Sequence, residues 1–236
     1  MKRTILISGA SRGIGRAISE KLFLEGHSLS LGVRQTESLN NTILDPNISG
    51  NERLLVHKYE ATNRKSANLW VLNSIDKFRS IDTIIHCAGI FNNVGLTFKE
   101  EEEHLINNLW ETNLKGPWYL TNAAWEQLSH HGQARIIVLV SMSGKRSKGN
   151  LAGYCVSKFA LMGLCQTMRN EGWEKGIRVS TISPGWVNTD MAANVNSMKK
   201  GEMTQPSDLA NLISEIILLP NSCIPFEVNI NCSLEK

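Results

Sequence analysis

Three glycines near the start of the chain, Gly9, Gly13 and Gly15, have a spacing that could support the binding of a phosphate group. Glycines let the backbone turn tightly, and they let a pyrophosphate approach a helix N-terminus, where free N–H groups and the helix dipole favour negative charge. The spacing is G-x-x-x-G-x-G, which departs from the G-x-G-x-x-G fingerprint of many dinucleotide sites. A plain tight turn is therefore the alternative interpretation.

A second group of residues brings together a hydroxyl, a phenol and an ammonium: Ser141, Tyr154 and Lys158. Tyr154 and Lys158 are four positions apart, so they share one face of a helix. Ser141 directly follows the apolar run 136–140. On its own, Tyr-x-x-x-Lys is common by chance, and a surface pair on a helix is the alternative. Its place after a strand, in a chain that also carries a glycine turn, favours a functional interpretation.

The elements that must position these residues alternate between strands and helices. Short apolar runs predict strands, and apolar residues that recur every three or four positions predict helices. Ser207 is expected to cap the last helix. We expect strands at 3–8, 28–33, 54–59, 81–86, 136–140, 177–182 and 226–230, and helices at 14–25, 66–78, 154–174 and 207–218, with two more within 99–130.

Repeated strand–helix units predict one α/β domain over residues 1–236, with a Rossmann-type, doubly wound parallel sheet flanked by helices on both faces. In such sheets, ligands bind outside the carboxyl ends of the strands. The glycine turn and Ser141 each come directly after a strand, so we expect them at the same edge of the sheet.

Composition excludes several classes of function. A formal net charge of +3 is too small to predict a nucleic-acid surface. No apolar run approaches the roughly 20 residues that span a bilayer, and no targeting signal is visible, so cytoplasm is the expected location. No spacing suits a metal site. The five cysteines show no paired spacing and are expected to be buried reduced thiols.

Together the motifs resemble the signature of the short-chain dehydrogenases/reductases. The resemblance is carried by Gly9–Gly15, by Ser141, by Tyr154-Cys155-Val156-Ser157-Lys158 and by Asn113 in Glu111-Thr112-Asn113. Cys87-Ala88-Gly89 resembles the Asn-Ala-Gly turn of that family, and Pro184–Asp190 resembles its segment after the sixth strand. The resemblance covers almost the whole chain, with the motifs in order and at family-like separations.

The resemblance implies hydride transfer between a nicotinamide cofactor and a ketone or secondary alcohol. Tyr154 is then the general acid for reduction and the base for oxidation, with its phenol pKa shifted toward neutrality by the charge of Lys158. Lys158 also binds the nicotinamide ribose. Ser141 holds the substrate oxygen, and Asn113 holds a water that links Lys158 to solvent.

The resemblance also implies the residues that contact the cofactor. NADP(H) is expected in preference to NAD(H), because Gly32-Val33-Arg34 has no acid to bind a ribose hydroxyl, whereas Arg12 and Arg34 can accommodate a 2′-phosphate. The alternative is that both arginines are solvated surface charges. The full expected set is Gly9, Ser11, Arg12, Gly13, Ile14, Gly15, Arg34, Glu60, Ala61, Cys87, Ala88, Gly89, Tyr154, Lys158, Pro184, Gly185, Val187 and Thr189.

The sequence departs from the family pattern at three places. Cys87 replaces the asparagine that ties neighbouring strands together, which puts stability more than catalysis in doubt. Glu60 stands where an aspartate usually contacts adenine. The segment 227–232 lacks the Asp-Gly-Gly often found there, and this bears on subunit packing. By resemblance, a homodimer or homotetramer is expected.

The substrate is a small carbonyl or alcohol compound whose identity the sequence does not give. Lys145, Arg146 and Lys148 follow Ser141, and they either attract an anionic substrate or form a solvated loop. Trp186 is expected beside the nicotinamide, and the segment 189–206 is expected to cover the substrate. Two other functions stay open: a nucleotide-sensing NADP(H)-binding protein on the same fold, and related nicotinamide chemistry such as epimerisation or dehydration.

Overall fold

A computed structural model describes residues 2–49, 52–147 and 149–230 of the chain, without the side chain of Ser49. Lys148, Cys232 and the rest of the segment after Ile230 therefore lie outside the described residues. All strands pair in parallel within one sheet, in the order β3-β2-β1-β4-β5-β6-β7. Their bounds are β1 Thr4–Ser8, β2 Ser28–Val33, β3 Leu54–Lys58, β4 Thr83–His86, β5 Arg135–Leu139, β6 Arg178–Pro184 and β7 Glu227–Ile230.

Helices cover both faces of this sheet. Short 3-10 turns occupy Thr36–Leu39, Glu100–Glu102, Met142–Gly144, Asp190–Ala192, Lys200–Glu202 and Asn221–Cys223, and a π-helical turn occupies Glu111–Lys115. The α-helices are α1 Gly13–Leu24, α2 Pro46–Ser49, α3 Arg64–Phe78, α4 Glu103–Trp110, α5 Gly116–His131, α6 Ala152–Gly172 and α7 Pro206–Leu218.

The alternation of side chains along each strand builds two apolar cores. On one face, Ile5 and Ile7 of β1 pack with α1 and α7. On the other face, Leu6 packs with residues of α3, α5 and α6. The central strands β1, β4 and β5 are therefore buried on both faces, as expected for a parallel sheet covered on both sides. The predicted fold class, a Rossmann-type doubly wound sheet flanked by helices, is confirmed.

Three local expectations differ from the structure. The region 99–130 contains α4 and α5, but the π-helical turn Glu111–Lys115 joins them without a break. Helix α7 begins one residue before Ser207, because Pro206 occupies its first turn and the Asp208 carboxylate accepts a hydrogen bond from the Gln205 backbone N–H. Cys223 is exposed rather than buried, since it lies in a surface turn after α7.

The strand order places the switch point of the sheet between β1 and β4. The chain turns away from these neighbouring strands at Gly9 and at Cys87, so the sheet opens a crevice at their carboxyl ends, which is where such folds bind ligands. None of the described helices is both long enough and apolar enough to cross a bilayer.

Candidate active site

The turn after β1 is built so that its glycines cannot be replaced without a clash or backbone strain. Gly9 has a φ of 73° and Gly13 a φ of 56°, a region that favours glycine. A β-carbon on Gly9 would lie 2.7 Å from the backbone nitrogen of Ala88, and one on Gly15 would collide with the carbonyl oxygen of Gly9. The turn therefore packs tightly against the chain after β4.

The start of α1 can receive an anion. Its N-cap residue, Arg12, makes no side-chain hydrogen bond to the first turn, and that turn contains no acidic residue. The first backbone N–H groups of the helix thus have no side-chain cap, and the helix dipole adds positive potential there. A phosphate group fits these properties.

A groove of about 680 Å³ runs along this turn, and we call it the glycine groove. It brings together most of the residues expected to hold a nucleotide. Those that line it are Gly9, Ser11, Arg12, Gly13, Ile14, Gly15, Arg34, Glu60, Ala61, Cys87, Ala88, Gly89 and Thr189.

Four charged side chains line the glycine groove, namely those of Arg12, Arg34, Glu60 and Asp190. Arg12 forms an ion pair with Asp190, with Nη1 and Oδ2 separated by 3.5 Å, and both side chains are largely exposed. Arg34 and Glu60 are also exposed. An exposed pair of this kind is weak, so Arg12 can exchange its carboxylate partner for another anion.

A second cavity, of about 380 Å³, adjoins the glycine groove, and we call it the tyrosine cavity. Ser141, Tyr154 and Lys158 all line it, so the structure brings together the three residues that the sequence places 13 and 4 positions apart. Pro184, Gly185 and Val187 line it as well. Ile14, Cys87, Gly89 and Thr189 belong to both cavities, which makes the cleft continuous.

The Tyr154 side chain is fixed by its neighbours. Its ring meets that of Phe91 edge-on, with the centroids 5.0 Å apart. The Lys158 Nζ lies 5.8 Å from the Tyr154 ring centroid and donates a hydrogen bond of 3.1 Å to the Leu139 carbonyl oxygen. The ammonium and the phenol thus lie on the same side of α6, beside the end of β5.

Burial controls the proton affinities of these two groups. It raises the pKa of Tyr154 to about 12, against the opposing effect of a hydrogen bond with Ser141. It lowers the pKa of Lys158 to about 8. The expected shift of the Tyr154 pKa toward neutrality is therefore wrong for the chain as described, because desolvation of the phenol exceeds the stabilisation of phenolate. At neutral pH, Tyr154 carries a proton that it can donate.

Asn113 lies behind the two cavities rather than on their surface. Its Nδ2 donates to the Ile90 carbonyl oxygen at 3.0 Å and to Ser157 Oγ at 3.1 Å, and its Oδ1 accepts from the Ile90 backbone N–H at 2.9 Å. Ser157 in turn donates to the Tyr154 carbonyl oxygen at 2.8 Å. Asn113 sits in the π-helical turn, a feature often found at functional sites.

The sequence did not predict a role for Ser157. This residue was named only as part of the motif that contains Tyr154 and Lys158. A buried serine within a helix carries no periodic signal, so only the spatial contact with Asn113 reveals what its hydroxyl does.

The three cations after Ser141 differ in their surroundings. Lys145 forms an ion pair with Glu227 of β7 and does not line the tyrosine cavity, whereas Arg146 does line it. Lys148 lies outside the described residues. Of the two described cations, Arg146 is thus the one placed to meet a substrate.

The segment 189–206 borders both cavities. Its Met191 lines each of them, and Ala192 lines the tyrosine cavity. Ala192 packs with Met198 and Met203 into a small cluster separate from the two main cores, and Trp186 packs against this cluster. Trp186 also lines the tyrosine cavity.

The Ser8 side chain joins the ends of β1 and β4, a connection that an asparagine makes in the family pattern and that Cys87 does not make here. Its Oγ accepts hydrogen bonds of 3.3 Å from the backbone N–H groups of Cys87 and Ala88. The end of β1 is thereby fixed to the end of β4 without an asparagine. Burial raises the pKa of the Cys87 thiol, so this side chain stays protonated.

No group of three or more His, Cys, Asp or Glu side chains suited to a metal ion occurs in the described part of the chain.

Comparison with known proteins agrees with this arrangement. The family model described as short chain dehydrogenase matches residues 3–200. The chain is 35% identical to the agropine synthesis reductase of Rhizobium rhizogenes over 232 residues, which cover 98% of this chain and 53% of that protein. The chain thus spans about half the length of this relative.

Two further relatives are matched over more of their own length. The 3-oxoacyl-(acyl-carrier-protein) reductase FabG of Escherichia coli is 31% identical over 188 residues, covering 79% of this chain and 74% of that protein. An alcohol dehydrogenase of Thermococcus sibiricus, solved in complex with 5-hydroxy-NADP, superposes with a TM-score of 0.88 at 24% identity, covering 100% of this chain and 99% of that one. With the family match over most of its length, the chain belongs to the short-chain dehydrogenase family of oxidoreductases.

Proposed function

We propose that this chain is an NADP(H)-dependent oxidoreductase that interconverts a ketone and a secondary alcohol. The observation that carries the proposal is the convergence of Ser141, Tyr154 and Lys158 on one cavity that opens into the glycine groove. A hydroxyl, a phenol and an ammonium in that arrangement suit the protonation of a carbonyl oxygen.

The residues of the glycine groove fit a dinucleotide. A β-carbon on Gly9 or Gly15 would collide with backbone atoms of the turn or of the chain after β4, and the first N–H groups of α1 are available to a pyrophosphate. Tyr154, Lys158, Pro184, Gly185, Val187 and Thr189 would hold the nicotinamide end, since they line the adjoining part of the cleft. When bound, the nicotinamide supplies or accepts the hydride.

The chain's own residues handle the proton and the substrate oxygen. Ser141 and Tyr154 each donate a hydrogen bond to the carbonyl oxygen, which holds it beside the phenol. Tyr154 then transfers its proton to that oxygen as negative charge develops there. Lys158 stabilises the phenolate that remains, and in oxidation the same phenolate accepts the proton of the alcohol. Asn113 and Ser157 hold the Tyr154 backbone in place, and Asn113 also orders the chain at Ile90.

The preference for NADP(H) rests on two arginines. Arg12 and Arg34 line the glycine groove and do not line the tyrosine cavity, and no acid precedes Arg34 on β2. A guanidinium matches phosphate geometry well. The structural relative from Thermococcus sibiricus was solved with an NADP derivative, which supports the same choice.

Two further expectations stand as proposals. An anionic group on the substrate would meet Arg146, which lines the tyrosine cavity.

Association of two or more copies would cover exposed apolar side chains on α5 and α6, namely Trp118, Val156 and Phe159. Light scattering at several protein concentrations checks the oligomer, and a single-chain mass at all of them would contradict it.

The test of the function is a screen of ketones and aldehydes with NADPH, followed by absorbance at the nicotinamide band. We expect turnover of at least one ketone, with a higher kcat/KM for NADPH than for NADH. Comparable efficiency with the two cofactors would contradict the NADP(H) preference. Tight NADPH binding with no turnover of any carbonyl compound would instead favour a nucleotide-sensing protein.

A further inference from the structure

We propose that the substrate carries, beyond its reacting carbonyl, a neutral hydrogen-bonding group such as an amide or a hydroxyl, and that this group binds in a side cavity next to Tyr154. The inference rests on the proposed function and extends it by naming the substrate class. The side cavity has a volume of about 450 Å³ and lies between the chain after Phe91 and the chain before α6.

The side cavity continues the tyrosine cavity. Phe91, Leu151 and Trp186 line both spaces, so they form an apolar collar between them. The Phe91 ring also contacts the edge of the Tyr154 ring. A substrate whose carbonyl lies at Tyr154 can therefore extend an aromatic or aliphatic spacer through the collar.

The far wall of the side cavity is polar, and none of its described lining residues carries a positive charge. Asn93, Thr97 and Asn150 line it, and their amide and hydroxyl groups both donate and accept hydrogen bonds. Glu102 also lines it, and its Oε2 already accepts from the Lys99 backbone N–H at 2.9 Å. The described lining thus offers carboxylate, amide and hydroxyl oxygens and neither Lys nor Arg, so it disfavours an anion and suits a neutral group that donates hydrogen bonds.

Backbone contacts hold the two walls together before any substrate binds. The Gly153 backbone N–H, in the first turn of α6, donates to the Val94 carbonyl oxygen at 3.1 Å. A β-carbon on Gly95 would lie 3.8 Å from the Asn150 Cα, so the two segments are in close contact. Because α6 also carries Tyr154, the side cavity has a fixed position relative to the phenol.

The experiment compares arylalkyl ketones that share one carbon skeleton up to the para substituent of the ring. The probes are 4-(4-methylphenyl)butan-2-one and its analogues in which a carbamoyl, carboxylate or aminomethyl group replaces the ring methyl group. With NADPH, we expect kcat/KM for the carbamoyl ketone to exceed that for the methyl ketone by about threefold to tenfold, the effect of one or two net hydrogen bonds. Equal values would overturn the inference. A preference for the carboxylate or for the ammonium would also overturn it, by assigning the site to Arg146 or to Glu102.

Substitutions locate the preference within the molecule. Thr97→Val and Asn93→Leu should each bring the ratio of carbamoyl to methyl kcat/KM toward one. The matched control is Thr167→Val, because Thr167 is an exposed threonine of α6 outside all three cavities. A ratio that survives both side-cavity substitutions would overturn the inference.

Binding separates this inference from the proposed function. Calorimetry on Tyr154→Phe with bound NADP⁺ measures Kd for the same ketones without turnover. A lower Kd for the carbamoyl ketone supports the side cavity even if the unaltered chain reduces neither ketone, which would contradict the proposed function alone. Equal Kd values together with normal turnover would overturn the inference and leave the proposed function intact.

Discussion

Asn113 and Ser157 are joined by a hydrogen bond of 3.1 Å between the amide Nδ2 and the hydroxyl Oγ, although they lie on different helical segments. Ser157 passes the connection on to the Tyr154 carbonyl oxygen. The π-helical turn that carries Asn113 is thereby fixed to the turn of α6 that carries the phenol.

This relationship predicts that Ser157→Ala lowers turnover without weakening NADPH binding. Removal of the hydroxyl deprives Asn113 of one acceptor, so the position of Tyr154 is held less firmly. We expect kcat to fall by about threefold to tenfold, with Kd for NADPH and the upper pKa of the pH profile unchanged. The matched control is Ser74→Ala in α3, another fully buried serine, whose Oγ bonds to the Trp70 carbonyl oxygen of its own helix and to Ser30 Oγ of β2. If both variants lose stability and neither loses kcat, Ser157 has a structural role only.

The lowered pKa of Lys158 leads to a prediction for the pH range of ketone reduction. Its pKa is lowered to about 8 by burial, so the ammonium is present below that pH and is lost above it. Because the charge stabilises the phenolate left by proton donation, kcat/KM for reduction should be highest below about pH 8 and decline by up to tenfold per unit above it. A profile measured from about pH 6 to about pH 10 checks this. A rate that stays constant to the upper limit would contradict the role given to the lysine.

Gly15 predicts a loss of both stability and nucleotide binding on substitution. A β-carbon there would collide with the Gly9 carbonyl oxygen and lie 3.1 Å from the Cys87 Cβ, so α1 must move away from β1. Gly15→Ala should lower the free energy of unfolding by about 1–3 kcal/mol and abolish measurable NADPH binding. The control is Gly163→Ala in α6, where a β-carbon meets nothing within 4 Å. That change should raise the free energy of unfolding by up to about 1 kcal/mol. Chemical denaturation measures the free energy of unfolding of both variants, and equal values for Gly15→Ala and the unaltered chain would contradict the prediction.

The ion pair between Arg12 and Asp190 predicts a variant with tighter NADPH binding. If Arg12 leaves Asp190 to meet the 2′-phosphate, Asp190→Asn removes the competing carboxylate. Because the pair is exposed, the gain is small: we expect Kd for NADPH to fall by about twofold to fourfold and Kd for NADH to stay the same. Fluorescence titration of both nucleotides gives the two values. An equal change for NADH and NADPH would show that Arg12 does not contact the extra phosphate.

The sequence predicted the fold well because parallel strands buried on both faces leave unbroken apolar runs. The stretch 136–140 shows this, and it forms β5 within one residue at each end. The glycine turn and Tyr154 were predictable for a related reason, since tight backbone approaches and a helix position after a loop leave local signals. The π-helical turn at Glu111–Lys115 was not, because an extra residue in a helical turn shifts the apolar pattern in the same way as a boundary between two helices.

Contacts between distant parts of the chain could not be predicted. Lys145 follows Ser141 closely and was grouped with Arg146, but its partner Glu227 lies 82 positions away in the sequence. The shift of the Tyr154 pKa could not be predicted either, because its direction depends on how much water the neighbouring loops exclude from the phenol. The side cavity also depends on such packing, since Asn93 and Asn150 come to line one cavity only in the folded chain.

The most direct measurement is the comparison of the unaltered chain with Tyr154→Phe in both turnover and NADPH binding. The phenol is buried at the cavity where Ser141 and Lys158 meet, and the substitution removes only the group that donates the proton. We predict that kcat for ketone reduction falls by about 100-fold or more while Kd for NADPH changes by less than about twofold. Turnover that survives in Tyr154→Phe would contradict the account, because the proton would then come from another group.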